Sequence, residues 1–324
     1  MTRALNERPI MARPLNQPGR WTKRGHKIRQ LMPLYIFLLP AIGITLVFAY
    51  LPMFSNYIAF LDYDFVKGWF GFASPFMGLK NFAFLKEAWF YQLAGRTILY
   101  SLAVIVFSFP APLILALLIN ELRHALYKKC VQTVSYIPHF VSWVTVGGLF
   151  YLFMSTDPSG LINNIKTALF GGPRISFMQD SKLFLPFIVI SQVWKELGWG
   201  TIIYLAAITV VDPQLYEAAE VDGASRWKRM WHVTLPGLLP TTCILLILTL
   251  NGLFSSNFDQ ILNLQNDVIR NETYTINVFT YFRGVRNAQY AFAAAVGLFQ
   301  GLVSLVLVLI VNNTTKRLGD TGII

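Results

Sequence analysis

The chain has 324 residues, of which 55% are apolar and only 13% charged, with a mean hydropathy of +0.50. Soluble domains carry about 25% charged residues, so a disordered chain, a coiled coil and a disulfide-stapled secreted module are all excluded, and a polytopic membrane protein is implied. The net charge of +11 would point to nucleic acid in a soluble protein. Here the placement of the charge matters more than its sum, and no nucleic-acid partner is expected.

Residues 1–30 form a basic tail. Eight of the 27 Lys and Arg lie in it: Arg3, Arg8, Arg13, Arg20, Lys23, Arg24, Lys27 and Arg29. Six apolar stretches follow, each long enough to supply the about 20 residues a membrane helix needs. They cover roughly 31–56, 97–120, 131–155, 183–211, 236–256 and 291–312. The first is too long, and ends in residues too bulky, for a cleaved signal peptide. The expected fold is therefore all-α, a six-helix transmembrane domain over 31–312, with a short tail at 313–324.

Loop charges set the orientation. Segments 1–30, 121–130, 212–235 and 313–324 hold 16 Lys and Arg, while the longer loops 57–96, 156–182 and 257–290 hold 10. Basic residues accumulate on the cytoplasmic side, so both termini are expected there. Pro33, Pro40, Pro52, Pro110, Pro112, Pro138, Pro186, Pro236 and Pro240 are expected to kink the spans or to be ordinary membrane-helix composition. Ala293, Gly297 and Gly301 make a small-residue face for close helix packing.

The fourth span carries Lys195 and Glu196 near its middle, where a charge is costly and a functional suspect. Trp194 and Trp199 flank them, and Gly198 and Gly200 would permit a helix irregularity. A solute with apolar C–H faces and hydroxyls can stack on aromatic rings and hydrogen-bond to polar groups. Trp194, Trp199, Gln192, Asn251 and Asn257 supply both, and Lys195 would suit an acidic one. Mutual neutralisation of the charges and plain packing of the tryptophans is the competing reading.

The loop after that span reads VVDPQLYEAAEVDGASRWKRMWHVTLPGLLP. Asp212 before Pro213 marks a helix start, with that helix ending near Val221. Gly223 supplies a break. A second short helix is expected from Ala224 to about His232, with Pro236 opening the fifth span. His26, His124, His139 and His232 are scattered, and Cys130 and Cys243 show no paired spacing, so no metal or catalytic constellation is expected.

Glu217-Ala218-Ala219, then Gly223, then Val233-Thr234-Leu235-Pro236 resembles the EAA loop of ABC importer permeases, departing only by Val233 for Ile. The motifs at Tyr35–Pro40, Gly78–Phe82, Trp194–Trp199, Asn257–Gln260 and Tyr290–Gln300 are similar to the carbohydrate branch. Within it, the chain looks most like permeases for polysaccharide fragments, uronate-containing ones and the alginate type among them. The resemblance implies the type I importer permease fold in the bacterial inner membrane. It implies a second homologous permease, two ATPase subunits beneath, a solute-binding protein and an oligosaccharide cargo. It also implies that Glu217, Ala218, Ala219, Gly223, Leu235 and Pro236 form the element coupled to the ATPases. No GxxxxGK[ST] phosphate loop occurs, so this chain is expected to hold no cofactor, ATP and Mg belonging to the partners. The same architecture for another polar solute, or a stand-alone membrane carrier or enzyme, are the rival readings.

Overall fold

The computed structural model describes residues 20–67, 73–252 and 257–319. Arg3, Arg8 and Arg13 of the basic tail, residues 320–324 and the side chain of Asn251 lie outside what it describes. Among the described residues the regular structure is helical, apart from one isolated antiparallel bridge between Leu61 and Phe76.

The chain forms two compact units, Met1–Asn56 and Tyr57–Ile324. The first is built on helix α1, Arg20–Thr45, which continues through a wide turn at Leu46–Tyr50 into Leu51–Phe54. Leu51 N–H donates to the Leu46 carbonyl, five residues back instead of four. The wider turn makes room for Pro52, whose ring would otherwise crowd the carbonyl four residues earlier.

In the second unit, α2 (Ala88–Ser108) and α3 (Pro110–Glu121) run as one long span. It starts nine residues before the expected boundary at 97, because Phe90 and Leu93 are buried in the core. The expected third span, 131–155, is corrected to a broken one. Helix α4 (Ala125–Tyr136) ends in a tight turn at Ile137–Phe140, and α5 (Trp143–Met154) leaves at 98°. The cause is local. Pro138 sits in the turn, and Ser142 caps the new helix by accepting from Thr145 N–H at 3.2 Å.

After the short helix α6 (Leu161–Phe170), α7 (Ser181–Ile208) runs 28 residues without interruption, about 42 Å at the α-helical rise. Asp180 caps it by accepting from Lys182 N–H. Its buried residues are Phe184, Ile188, Ser191, Lys195, Gly198, Thr201, Tyr204 and Ile208. That three-and-four spacing is one stripe of a helix.

Helix α8 (Pro213–Val221) starts at the capping Asp212 as expected. The next helix, α9, runs Arg226–Gly237, and α10 (Leu239–Asn251) leaves it at 55°. Pro236 therefore does not open the fifth span. It lies inside α9, and the wide turn Met230–Thr234 accommodates its ring as Leu46–Tyr50 does for Pro52. The bend comes at Leu238, just before Pro240. Helix α11 (Phe258–Leu264), α12 (Ile276–Thr280) and the last span α13 (Tyr290–Gly319) complete the bundle.

Among the described residues, three helices are long and apolar enough to cross a membrane, and five spans result if each bent pair counts as one. Helix α7 is the sixth, its apolar character diluted by Lys195 and Glu196. Of the expected small-residue face on α13, Ala293 is used within the chain. A Cβ on Gly284 would stand 2.4 Å from that of Ala293, whereas Gly297 and Gly301 have open space beside them.

Candidate functional site

Two regions hold the residues singled out from the sequence. The first is the middle of α7. Two glycines let neighbouring helices press against it. A Cβ on Gly198 would lie 2.1 Å from the Ser135 carbonyl oxygen of α4, and one on Gly200 would lie 2.8 Å from the Pro112 side chain of α3. The expectation that these glycines loosen the helix is corrected: α7 is regular through both, and they serve close approach.

Lys195 falls on the buried stripe and is 6% exposed. Its ammonium donates to the His139 carbonyl at 2.5 Å, stands 3.9 Å from Glu196 Oε1 and lies over the Trp143 ring. The His139 carbonyl is available because the helical turn ends there, leaving it without a helical donor. A cation at such a C-terminus is favourable. The contacts of Lys195 thus match the competing reading of neutralisation within the protein. Its ammonium faces the break between α4 and α5, buried against protein.

Glu196 meets His139 at its ring. Its Oε2 lies 2.9 Å from His139 Nδ1. The His139 ring in turn lies parallel to the Trp199 indole, with Phe140 edge-on to both. Trp199, Glu196 and Gln192 then line a cavity of about 210 Å³ with Ser108, Thr249 and apolar residues of α2 and α3. The cavity thus has one exposed aromatic face and several hydrogen-bonding groups, the combination that suits a sugar ring. Trp194 is exposed but does not line it. The two tryptophans are five residues apart, so they point about 140° from one another on a helix. Asn257 sits in left-handed backbone at φ 67° with a buried side-chain amide nitrogen that makes no hydrogen bond, and it does not line the cavity either. His139 and Phe140 were missed in the sequence. They sit at the break between Pro138 and the Ser142 cap, which the apolar composition of the stretch hides.

The second region is the loop 212–235. Its first helix, α8, ends in a Schellman motif: Ala224 N–H donates to the Ala219 carbonyl and Gly223 N–H to that of Glu220. Gly223 adopts φ +72° with open space beside it, so the backbone angle, not crowding, requires glycine. Glu217 and Ala218 are exposed, Ala219 is half-buried, and Leu215 and Val221 are exposed apolar residues on the same short helix. Leu235 and Pro236 lie within α9. The loop thus presents a rigid, capped helix with a mixed apolar and acidic surface. No cluster of His, Cys, Asp or Glu that could hold a metal ion occurs among the described residues.

A helical membrane bundle with such an exposed two-helix loop has the form of a transporter permease. The chain belongs to the family of binding-protein-dependent transport system inner membrane components, which it matches over residues 96–319.

Among its relatives is the polygalacturonan/rhamnogalacturonan transport system permease protein YteP of Bacillus subtilis (strain 168), 42% identical over 299 residues and 92% of each chain. Protein LplB of the same organism is 40% identical over 291 residues and 90% of each chain. Among solved structures, a crystal structure of a bacterial ABC transporter involved in the import of the acidic polysaccharide alginate superposes with a TM-score of 0.82 at 34% identity. It covers 92% of this chain and 99% of that one. A bacterial alginate ABC transporter in complex with alginate pentasaccharide-bound periplasmic protein gives the same TM-score at 35% identity. The resemblance to carbohydrate importer permeases is borne out: the protein is a sugar ABC importer permease of the inner membrane that works with a solute-binding protein.

Proposed function

We propose that this permease carries fragments of an acidic, uronate-containing polysaccharide. The 42% identity to a polygalacturonan/rhamnogalacturonan permease, over 92% of the chain, supports this reading together with the alginate transporter structures. The cargo passes from the solute-binding protein into a path shared with a second, homologous permease. The Trp199 face and the polar groups of Gln192 and Glu196 meet the sugar here. Two ATPase subunits bind ATP and Mg, and this chain contributes no hydrolytic group.

Coupling runs through 212–235 on the cytoplasmic side, with both termini on that side. Glu217 offers a charge to a basic partner residue, and Ala218 and Ala219 allow close approach. The capped helix α8 supports this role, since a rigid element transmits ATPase closure as a rigid-body motion. Division into a basic tail at 1–30, the permease domain at 31–312 and a tail at 313–324 follows from the same orientation.

One observation favours a neutral oligosaccharide instead. Glu196 lines the cavity while the neighbouring cation, Lys195, is buried away from it. A carboxylate facing the path would repel a uronate unless a partner supplies a cation. The test is uptake into proteoliposomes holding the complete transporter, with oligogalacturonate and a neutral arabino-oligosaccharide compared at equal size. Preferential uptake of oligogalacturonate supports the acidic reading. Preference for the neutral sugar overturns it.

A further inference from the structure

We propose that Tyr216 and Thr234 form the pin that makes α8 and α9 a single lever hinged at Leu238, and that Tyr216 is a positioning residue for coupling. The proposal rests on the assignment of 212–235 as the ATPase-coupling element.

Three ties join the two arms of the loop in antiparallel order. Near the tip, Arg229 donates to Glu220 at 2.8 Å. Midway, the Tyr216 hydroxyl donates to Thr234 Oγ1 at 3.0 Å. At the base, Gly237 lies so close to Val211 that a Cβ there would stand 2.8 Å from its Cγ2. Each step up α8 therefore matches a step down α9, and the two arms are fastened along their whole length. The fastening stops at Gly237. The next residue, Leu238, is where the chain bends by 55° into α10.

Leu238 is fully buried, in a core cluster with Ala116 of α3 and Tyr204 and Ile208 of α7. A push on α8 thus arrives at a buried pivot packed with α3 and α7, two of the helices that line the Trp199 cavity. At the other end, Arg226 stands 3.9 Å from Glu121 at the end of α3.

The ties are unequal. Glu220 and Arg226 are largely exposed, and exposed ion pairs contribute little. Thr234 is 2% exposed, so the phenol–hydroxyl bond is the one shielded from water. It also holds the wide turn Met230–Thr234, the stretch of α9 where the regular hydrogen-bond ladder is interrupted ahead of Pro236. Without the pin, α8 could shift against α9 at that weak turn, and the stroke would be lost before it reached Leu238.

The experiment uses the complete transporter in proteoliposomes with its binding protein, and reads sugar imported per ATP hydrolysed. The probe is oligogalacturonate, or arabino-oligosaccharide if the uptake test selects it. A buried hydrogen bond contributes about 0.5–1.5 kcal/mol. Tyr216→Phe and Thr234→Val should therefore each lower the ratio about two- to tenfold. Thr234→Ser, which keeps the hydroxyl, should preserve it, and the double variant should be no worse than the worse single one. A wild-type ratio in Tyr216→Phe, or effects of the two substitutions that multiply, would overturn the pin. So would a lower melting temperature with the ratio unchanged. Gly223→Pro separates the two levels. If it leaves binding-protein-stimulated hydrolysis intact, the assignment of the coupling element itself fails.

Discussion

The imidazole of His139 lies flat against the indole of Trp199, with 4.4 Å between ring centres and 2° between planes. This stack ties the break between α4 and α5 to the middle of α7, and Glu196 fixes the imidazole from the side. Trp199 is thereby held as a rigid wall of the cavity. Aromatic pairs contribute about 0.5–1.5 kcal/mol beyond their burial. Trp199→Ala should therefore lower transport about tenfold, through loss of both the sugar-facing ring and its stack. Trp199→Phe should keep most of it. Uptake kinetics in proteoliposomes check this, and full transport by Trp199→Ala would remove the cavity from the pathway.

The glycines of α7 make a separate prediction about stability. Gly198→Ala forces a methyl group into the Ser135 carbonyl, and Gly200→Ala forces one into Pro112. Overpacking of this kind costs about 1–3 kcal/mol, more where the obstacle is backbone. Both variants should melt earlier in lipid, Gly198→Ala by the larger margin because its methyl would meet backbone at 2.1 Å, against 2.8 Å for the Pro112 ring. Gly297→Ala, with open space beside it, serves as the matched control and should melt like the parent chain unless the complex places another helix there.

The number of apolar stretches and the start of α8 were legible because they depend on local facts: length, hydropathy, and an Asp-Pro cap. The break at Pro138–Ser142 was not, since the same composition also suits a straight span. The burial of Lys195 was legible in principle. It lies four residues after Ser191 and three before Gly198, on one three-and-four stripe, while Trp194 and Trp199 fall to either side of it. The charge pattern by itself fits both a pathway cation and a neutralised pair, and only the stripe separates them. The Tyr216–Thr234 bond could not be read at all, because it depends on how two helices pair across a turn.

Gly223 should tolerate no side chain without strain, for a reason of backbone angle. At φ +72° an L-residue pays about 1–2 kcal/mol. Gly223→Ala should therefore weaken the cap of α8 and reduce binding-protein-stimulated hydrolysis a fewfold. Gly223→Asn, which accepts left-handed backbone more readily, should lie between the two. ATPase assays on the assembled transporter check the order. A larger loss in Gly223→Asn than in Gly223→Ala would mean that a partner surface, not the angle, demands glycine here.

Lys195→Met separates structure from selectivity. In the native arrangement the ammonium satisfies the His139 carbonyl and offsets part of the Glu196 charge. Removing it leaves a half-buried carbonyl without its donor, at about 1 kcal/mol, and leaves Glu196 with His139 alone. The variant should be less stable, and its uptake of acidic and neutral oligosaccharides should fall by the same factor, because the ammonium does not reach the cavity. A selective loss of oligogalacturonate uptake would show that Lys195 turns toward the sugar during transport. Equal losses, together with a lower melting temperature, would leave the cation as the clamp that holds the broken span against α7.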